Sequence, residues 1–441
     1  MKKSTTIIAI VVGVMAISLA FYTTSEVAFT RSMDESSHSQ LNYLNFNLVS
    51  PAPVMDSSLS NEAFDKDIDK FLNRWDIKGA SVAVMKDNRL IYSKGYGYAN
   101  IESKEKANTK HLFRIASASK LITAITIMKM VDDGLLDLQE NVFGSEGILS
   151  DFEEMKDDNH KKIKVGHLLN HNGGWSWRDG DFMFQAAKIK RIMELEGPPT
   201  DDDIIEFVLK HRRLRYKPGT QYAYSNYGYM LLGKIIEYKS GKSYERYVNE
   251  HILEPNGIYG MRIADNYEWE RKPFEVHYYN HPGAYQFQSF DGNFESVKKP
   301  YGGSDIKTLG AAGGWIASAS QLAKIVSLID PKNTSYQLLS KESQELMVSG
   351  KSYKDAYGWK GARGENWWRT GTLAGSACFI YRKDNGYSYA VVLNSSVWMG
   401  HRFNKYIKWM MDKSIMHLDD SSKHNLFYQD KIQNNLLPLA I

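Results

Sequence analysis

"FRIASASKLITA" runs from Phe113 to Ala124, and the reading of its first serine decides how the rest of the chain is understood. The five letters Ile-Ala-Ser-Ala-Ser return at Ile316–Ser320, inside "WIASASQLAKIV". Each copy is followed by one polar residue and an apolar run of helical character; the polar residue is Lys120 in the first copy and Gln321 in the second. In the second copy Ser318 and Gln321 have the form of a capping box, the hydroxyl taking a backbone N–H and the glutamine reaching back. In the first copy a cation occupies that place. Lysine in the first helical turn opposes the helix dipole, at a cost of a few tenths to about 1 kcal/mol. The same field, with partial burial, favours the neutral amine, as a general base near neutral pH requires. A serine hydroxyl is a poor nucleophile until such a base takes its proton, and residues three apart share a helix face. The backbone N–H of Ser117 at a helix start is also placed to stabilise an oxyanion. Helix starts shift by a residue or two, so Ser119 stands as an alternative cap.

Ser-x-x-Lys is a common pattern, and two other copies compete. Ser103/Lys106 lies in a charged, turn-like stretch. Ser304/Lys307 lies beside "YGG" and is expected to have no apolar helix behind it. Only Ser117 opens a long apolar helix, Leu121 to Met130, with Gly134 as its expected stop.

A nucleophile and a base need a further proton carrier and a substrate clamp. Tyr-x-Asn begins at Tyr43, Tyr224, Tyr247 and Tyr278. Tyr224-Ser225-Asn226 follows "KPGTQYA" and directly precedes a predicted helix over 227–241, a loop end where functional side chains are displayed. A third element would be a cation, a hydroxyl and a glycine on a strand. "KSG" (239–241) ends a helix, with Gly241 as its C-cap. "WRTGTLAGSACF" (368–379) fits instead: Arg369, Thr370 and Gly371 run into a β-rich segment, and glycine lets a ligand approach the backbone.

Strand signals lie at both ends of the body. "ASVAVMK" (80–86), a turn at Asp87-Asn88 and "RLIYSKGYGYA" (89–99) read as a hairpin. "SACFIYRK" (376–383) and "YSYAVVLNSS" (387–396), separated by "DNG", read as another. Helical spacing marks Phe64, Ile68, Phe71, Leu72 and Trp75 at one end and "RFNKYIKWMM" (402–411) at the other. The predicted fold is α/β of the α+β type: an antiparallel sheet from N- and C-terminal segments, flanked by helices, with a mostly helical insertion at about 136–304.

These stretches resemble, in order, the serine β-lactamase and penicillin-binding-protein superfamily, in its class C and esterase-like branch. "FRIASASKLITA" holds the Ser-x-x-Lys, "VGHLLNHNGGW" (165–175) is similar to the family's "HLLTHTSG" segment, and "PGTQYAYSNYGYMLLGKIIE" (218–237) to its Tyr-x-Asn region. "GAAGGWIASASQLAKI" (310–325) and "WRTGTLAGS" complete the series over roughly 61–415. The resemblance implies a β-lactamase/transpeptidase-like fold and an acyl-enzyme hydrolase acting on a peptide-like, β-lactam-like or ester substrate. It implies that Ser117 is acylated and that Lys120 and Tyr224 shuttle protons. Asn226 would contact the substrate, and the N–H groups of Ser117 and Thr372 would form the oxyanion hole. Arg369 departs from the Lys or His of that family. It stays protonated, so it is a charge or a carboxylate clamp rather than a proton carrier. The alternative is a catalytically inactive member of the fold acting as a binding or sensor module.

The bulk numbers agree with a globular protein. The chain has 441 residues, 43% hydrophobic and 24% charged, with a formal charge of +4. The densest basic stretch is the short "HRRLR" (211–215), which argues against a nucleic-acid partner. No cofactor and no metal are expected. His167 and His171 are four apart in "HLLNH", which would put both rings on one helix face, yet Leu168 stands where a zinc motif needs its glutamate. "GKS" (241–243) lacks the upstream glycine of a phosphate loop. Trp175, Trp177, Trp367 and Trp368 flank the motifs, as acyl-pocket lining or as core. The lone Cys378 reads as a small buried hydrophobe. Lys2 and Lys3 precede an apolar run from Ile7 to Tyr22, which reads as a signal peptide or N-terminal membrane anchor over 1–28. A linker over 29–60, a hydrolase domain over 61–418 and a tail over 419–441 complete the expected organisation. The expected location is exported, periplasmic or extracellular.

Overall fold

The computed structural model describes residues 61–281, 286–293, 295–349, 356–418 and 425–427. The segments expected to be a signal or anchor and a linker with its Tyr43, and most of the expected tail, lie outside the described residues. Among the described residues no helix is long and apolar enough to cross a membrane.

Among the described residues twelve strands are present, in chain order β1 Gly79–Lys86, β2 Arg89–Asn100, β3 Glu105–Lys106, β4 Phe113–Arg114, β5 Arg262–Ile263, β6 Phe287–Gln288, β7 Ser296–Val297, β8 Trp315–Ala317, β9 Gly361–Arg363, β10 Asn366–Leu373, β11 Ser376–Arg382 and β12 Tyr387–Leu393. Seven of them form one sheet in the order β3-β2-β1-β12-β11-β10-β9, and every neighbouring pair is antiparallel. The seam between β1 and β12 joins the two ends of the body, Val82 opposite Val391. Both predicted hairpins form. Asp87 and Asn88 turn the first at φ 48° and 60°, the left-handed region that short-side-chain residues tolerate at two-residue turns.

Alternation along the strands explains why the runs are apolar throughout. Val82, Val84, Phe379, Tyr381 and Val391 face helices Glu62–Arg74 and Asn404–Ser414. Ala83, Met85, Cys378, Ile380 and Val392 face the second core, built around helix Ser119–Asp132. A sheet covered on both faces needs hydrophobic residues at both phases of its period. Cys378 is one of these core residues and is fully buried, which pushes its thiol far above the ordinary range.

The inserted region contributes helices Val165–Leu169, Ala186–Ile192, Asp201–His211, Asn226–Ser240 and Tyr244–Val248, along with β5 to β7. A small sheet in the order β4-β8-β5 ties this region to the main body. It places the two Ile-Ala-Ser-Ala-Ser copies side by side, with Arg114 opposite Ile316.

Three expectations are corrected. An apolar helix does follow Ser304: Ile306–Gly313 buries Ile306, Leu309, Ala311 and Ala312, with Asp305 as its N-cap. Its "GAAGG" run lacks the long side chains by which a helical period is read. Ser304 itself turns to the adjacent Gly303 carbonyl. His167 and His171 do not share a helix face, because the helix ends at Leu169 and His171 takes φ 57° beyond it. Trp177, finally, is exposed, whereas Trp175 and Trp367 are core residues.

Candidate active site

The first serine copy is a tight turn rather than a helix cap. Ala116–Ala118 form a 3-10 turn, and the α-helix begins at Ser119. Ser119 caps nothing; its hydroxyl donates to the Ala116 carbonyl and accepts the Trp315 N–H. Ala116 stands at φ 50°, a conformation costing an L-residue about 1–2 kcal/mol. The strain is held by β10 beneath it. A Cβ on Gly371 would lie 1.9 Å from the Ile115 carbonyl oxygen, so only glycine lets strand and turn approach this closely. The expected reason for that glycine, room for a ligand, is therefore replaced by room for the backbone that leads into Ser117.

Ser117 Oγ lies 2.9 Å from the Tyr224 hydroxyl, which donates to it. Tyr224 ends the loop before helix Asn226–Ser240, where Ser225 caps by accepting the Gly228 N–H at 3.0 Å. Lys120, in the first turn of its helix, is completely buried. Its amine donates to the Asn226 side-chain carbonyl and to the Ala312 backbone carbonyl. Burial pushes its pKa down, Arg369 pushes it further, and Tyr224 and Asp181 resist. A neutral amine has two hydrogens and one lone pair. With both hydrogens engaged by carbonyls, the lone pair is left for a proton from the Ser117–Tyr224 pair, and Tyr224 is hydrogen-bonded to the amine.

Arg369 is 1% exposed. Its Nε donates to the Ser117 carbonyl at 2.7 Å and its Nη2 to the Tyr224 hydroxyl at 3.3 Å. These contacts make it an internal brace on the turn. Burial raises the Tyr224 pKa, but the Lys120 and Arg369 charges and hydrogen bonds outweigh it, and the phenol falls to about 8. Thr370 Oγ1 accepts from Lys360 Nζ at 3.2 Å, and Thr372 Oγ1 accepts from Asn404 Nδ2 at 3.3 Å. Ser117, Lys120, Tyr224, Asn226 and Arg369 are thus joined by hydrogen bonds, and Gly371 packs against the turn at Ile115.

Three participants were missed by sequence reasoning. Asp181, from the inserted region, accepts Asn226 Nδ2 at 2.7 Å and caps the next turn through Met183 N–H at 3.1 Å. It thereby fixes the Asn226 amide with its oxygen toward Lys120. His171 packs its ring 4.4 Å from that of Tyr224 and accepts the Ser225 N–H at 3.2 Å. Burial, then Lys120 and Arg369, hold it well below its usual pKa, so it is a neutral wall behind the phenol. Lys360 is the third. No motif marks Asp181, which arrives from a distant loop, or Lys360, which stands ten positions before its partner Thr370.

The geometry defines a Ser-Lys-Tyr constellation on an antiparallel sheet flanked by helices. In agreement, residues 64–408 match the Beta-lactamase family model, and the chain belongs to that family. It is similar to Protein flp of Staphylococcus aureus (strain MW2), 29% identical over 196 residues, or 44% of this chain and 37% of that protein. The chain spans little more than a third of that relative's length. Among solved structures it resembles FmtA from Staphylococcus aureus at 20% identity and a TM-score of 0.64, covering 87% of this chain and 95% of that one. It also resembles D-amino acid amidase from Ochrobactrum anthropi SV3 at 21% identity and a TM-score of 0.63, covering 81% and 98%. At these identities the two likenesses concern the fold.

Proposed function

We propose that this chain is an exported serine hydrolase that cleaves an amide or ester through a covalent Ser117 acyl-enzyme. The observation that carries the reading is the 2.9 Å contact of Tyr224 with Ser117 Oγ beside a buried, carbonyl-bound lysine. A merely structural lysine would not be buried without a carboxylate partner, because desolvating its charge costs several kcal/mol. As the neutral amine it is a base. In the forward step the two hydroxyls turn so that Ser117 donates to the Tyr224 oxygen and the phenol to Lys120; the Ser117 proton then passes to the Tyr224 oxygen and the phenol proton to Lys120, while Oγ bonds the substrate carbonyl carbon and the carbonyl oxygen takes the charge. Collapse of the tetrahedral intermediate returns a proton by the same route to the leaving amine or alcohol. Water then repeats the sequence on the acyl-enzyme. The N–H groups of Ser117 and Thr372 are the proposed oxyanion donors, and Asn226 retains one amide hydrogen for the substrate.

Arg369 holds the phenol acidic without carrying protons itself, which favours peptidase, amidase or esterase turnover over rapid β-lactam hydrolysis. Similarity in fold to a D-amino acid amidase supports an amide of that kind as a first substrate to try. Export rests on the charged and apolar N-terminal segment alone. The test is intact-mass measurement after exposure to a fluorophosphonate and to a penicillin, on wild type and Ser117→Ala. The expected result is a single adduct lost in the variant. Folded wild-type protein that takes neither reagent would leave the binding-module reading in place.

A further inference from the structure

The helical layer on the far face of the main sheet carries a charge pattern that the candidate active site does not use. Helices Glu62–Arg74 and Asn404–Ser414 lie side by side and antiparallel. Phe71 stacks on Phe403 at 5.5 Å and Trp75 meets Tyr406 at 5.0 Å, while towards the other ends Asp67 pairs with Lys413 at 2.9 Å. Their inward positions, Phe64, Ile68, Ile407 and Met411, fill the core against Val82 and Val391. At 3.6 residues per turn the outward positions of the first helix are Lys66, Lys70 and Arg74, all exposed. Those of the second are Lys405 and Trp409, continued by Arg402 before it and Met416 after it. Trp409 is 59% exposed and Met416 82%. Of the carboxylates on the two helices, Asp65, Asp67 and Asp412 are paired with lysines, which leaves Glu62 and Asp69. Against them stand five cations, Lys66, Lys70, Arg74, Arg402 and Lys405, that form no ion pair among the described residues. Lys405 instead lies 5.6 Å from the Trp409 ring.

We propose that this layer is a membrane-docking surface that lies on the headgroup region of a bilayer containing anionic lipid. The chemistry is complementary. Free cations pair with lipid phosphate, and an exposed tryptophan and methionine among them enter the interface, where an amphipathic ring is half wet and half apolar. The position agrees as well. Glu62–Arg74 is the first described helix, so the chain enters this layer directly after the segments expected to be a signal or membrane anchor and a linker. A second copy of the chain is the other occupant such a face could take. A self-complementary contact would set these cations against one another, which disfavours it. The helix that follows Ser117 packs on the opposite face of the sheet. Docking therefore leaves the candidate active site turned towards the aqueous phase.

The test uses the full chain with Met416→Cys carrying an environment-sensitive fluorophore, since Cys378 is buried and out of reach of the label. Leu135→Cys, exposed beyond the helix that follows Ser117, carries the same label as a control. Each protein is mixed with vesicles of phosphatidylcholine alone or with phosphatidylglycerol, with brominated lipid as the quencher. With the anionic vesicles the Met416 label should shift to the blue and be quenched, the Leu135 label should do neither, and added salt should reverse the response. Lys66→Glu, Lys70→Glu and Arg402→Glu combined should lower the docked-to-free ratio by roughly a hundred-fold, about five-fold for each cation lost, with circular dichroism unchanged. A Met416 label that stays in water, that responds equally to phosphatidylcholine alone or in the triple variant, or that responds no more than the Leu135 label would overturn the proposal. Shielding of Met416 without vesicles, with a doubled mass in sedimentation, would overturn it in favour of a second copy.

Discussion

Ile115–Ser119 and Ile316–Ser320 have the same five residues and stand at the ends of two paired strands, β4 and β8, the Ile115 N–H donating to the Trp315 carbonyl. Their backbones nevertheless differ. In the second copy Ile316 and Ala317 complete β8, and Ser318 is extended and accepts the Gln321 N–H at 3.3 Å. Gln321 reaches back to the Ser318 N–H at 2.8 Å, completing a capping box. In the first copy the chain leaves the strand two residues earlier, Ala116 turns left-handed, and Ser117 is presented to Tyr224 instead of to its own helix. Identical local chemistry therefore gives a cap in one place and, in the other, a serine presented to Tyr224 as the proposed nucleophile. The difference comes from neighbours: Arg369 holds the Ser117 carbonyl, and β10 closes tightly beneath Ile115.

The widest separation between the copies should appear on removing each hydroxyl. Ser117→Ala is expected to abolish covalent labelling and lower hydrolysis by roughly 10⁴-fold or more, with its thermal midpoint nearly unchanged. Retained labelling in Ser117→Ala, or an equal loss of labelling and turnover in Ser318→Ala, would erase the distinction between the copies. Exchanging the sixth letter is the next largest step. Lys120→Gln keeps a donor for the Asn226 and Ala312 carbonyls but has no basic lone pair, so kcat/KM should fall about 10²–10⁴-fold with circular dichroism intact. Full activity in that variant would sink the role given to the amine.

A smaller effect concerns pH. With Tyr224 at about 8, and coupled to Lys120, activity should rise with pH through a limb near that value. The Arg369 charge favours the phenolate and disfavours the ammonium form of Lys120, so it lowers both pKa values. Arg369→Gln removes that charge, and the limb should therefore move to higher pH. A limb that stays in place or moves acidic in kcat/KM profiles contradicts the electrostatic assignment. The smallest change is expected at the cap. Ser318→Ala should cost about 1 kcal/mol of stability in denaturant titration and leave turnover alone.

Much of this was legible from the sequence for definite reasons. The hairpins announce themselves through Asp87-Asn88 and "DNG", and the helix after Ser117 through its unbroken apolar run. Ser117, Lys120, Tyr224, Asn226 and the Arg369–Thr372 strand were found because chemistry restricts which residues stand at three-residue spacing, at a loop end or beside a strand glycine. Asp181 and Lys360 were not found, since their contacts span 45 and 10 positions and no local period marks them. His171 was considered only as a metal ligand. Its stacking on Tyr224 depends on a left-handed backbone that no pattern in "NHNGGW" specifies.

By itself the sequence determined the inventory: two sheet-forming ends, a helical insertion, and a lysine where a helix cap would have no use for one. Those features follow from side-chain period and local electrostatics, which act within a few residues. Only the tertiary structure decided which serine meets Tyr224 and what charge surrounds it. The turn at Ala116 is unfavourable in isolation, and it persists because β10, Tyr224 and Arg369, all distant in sequence, over-determine it.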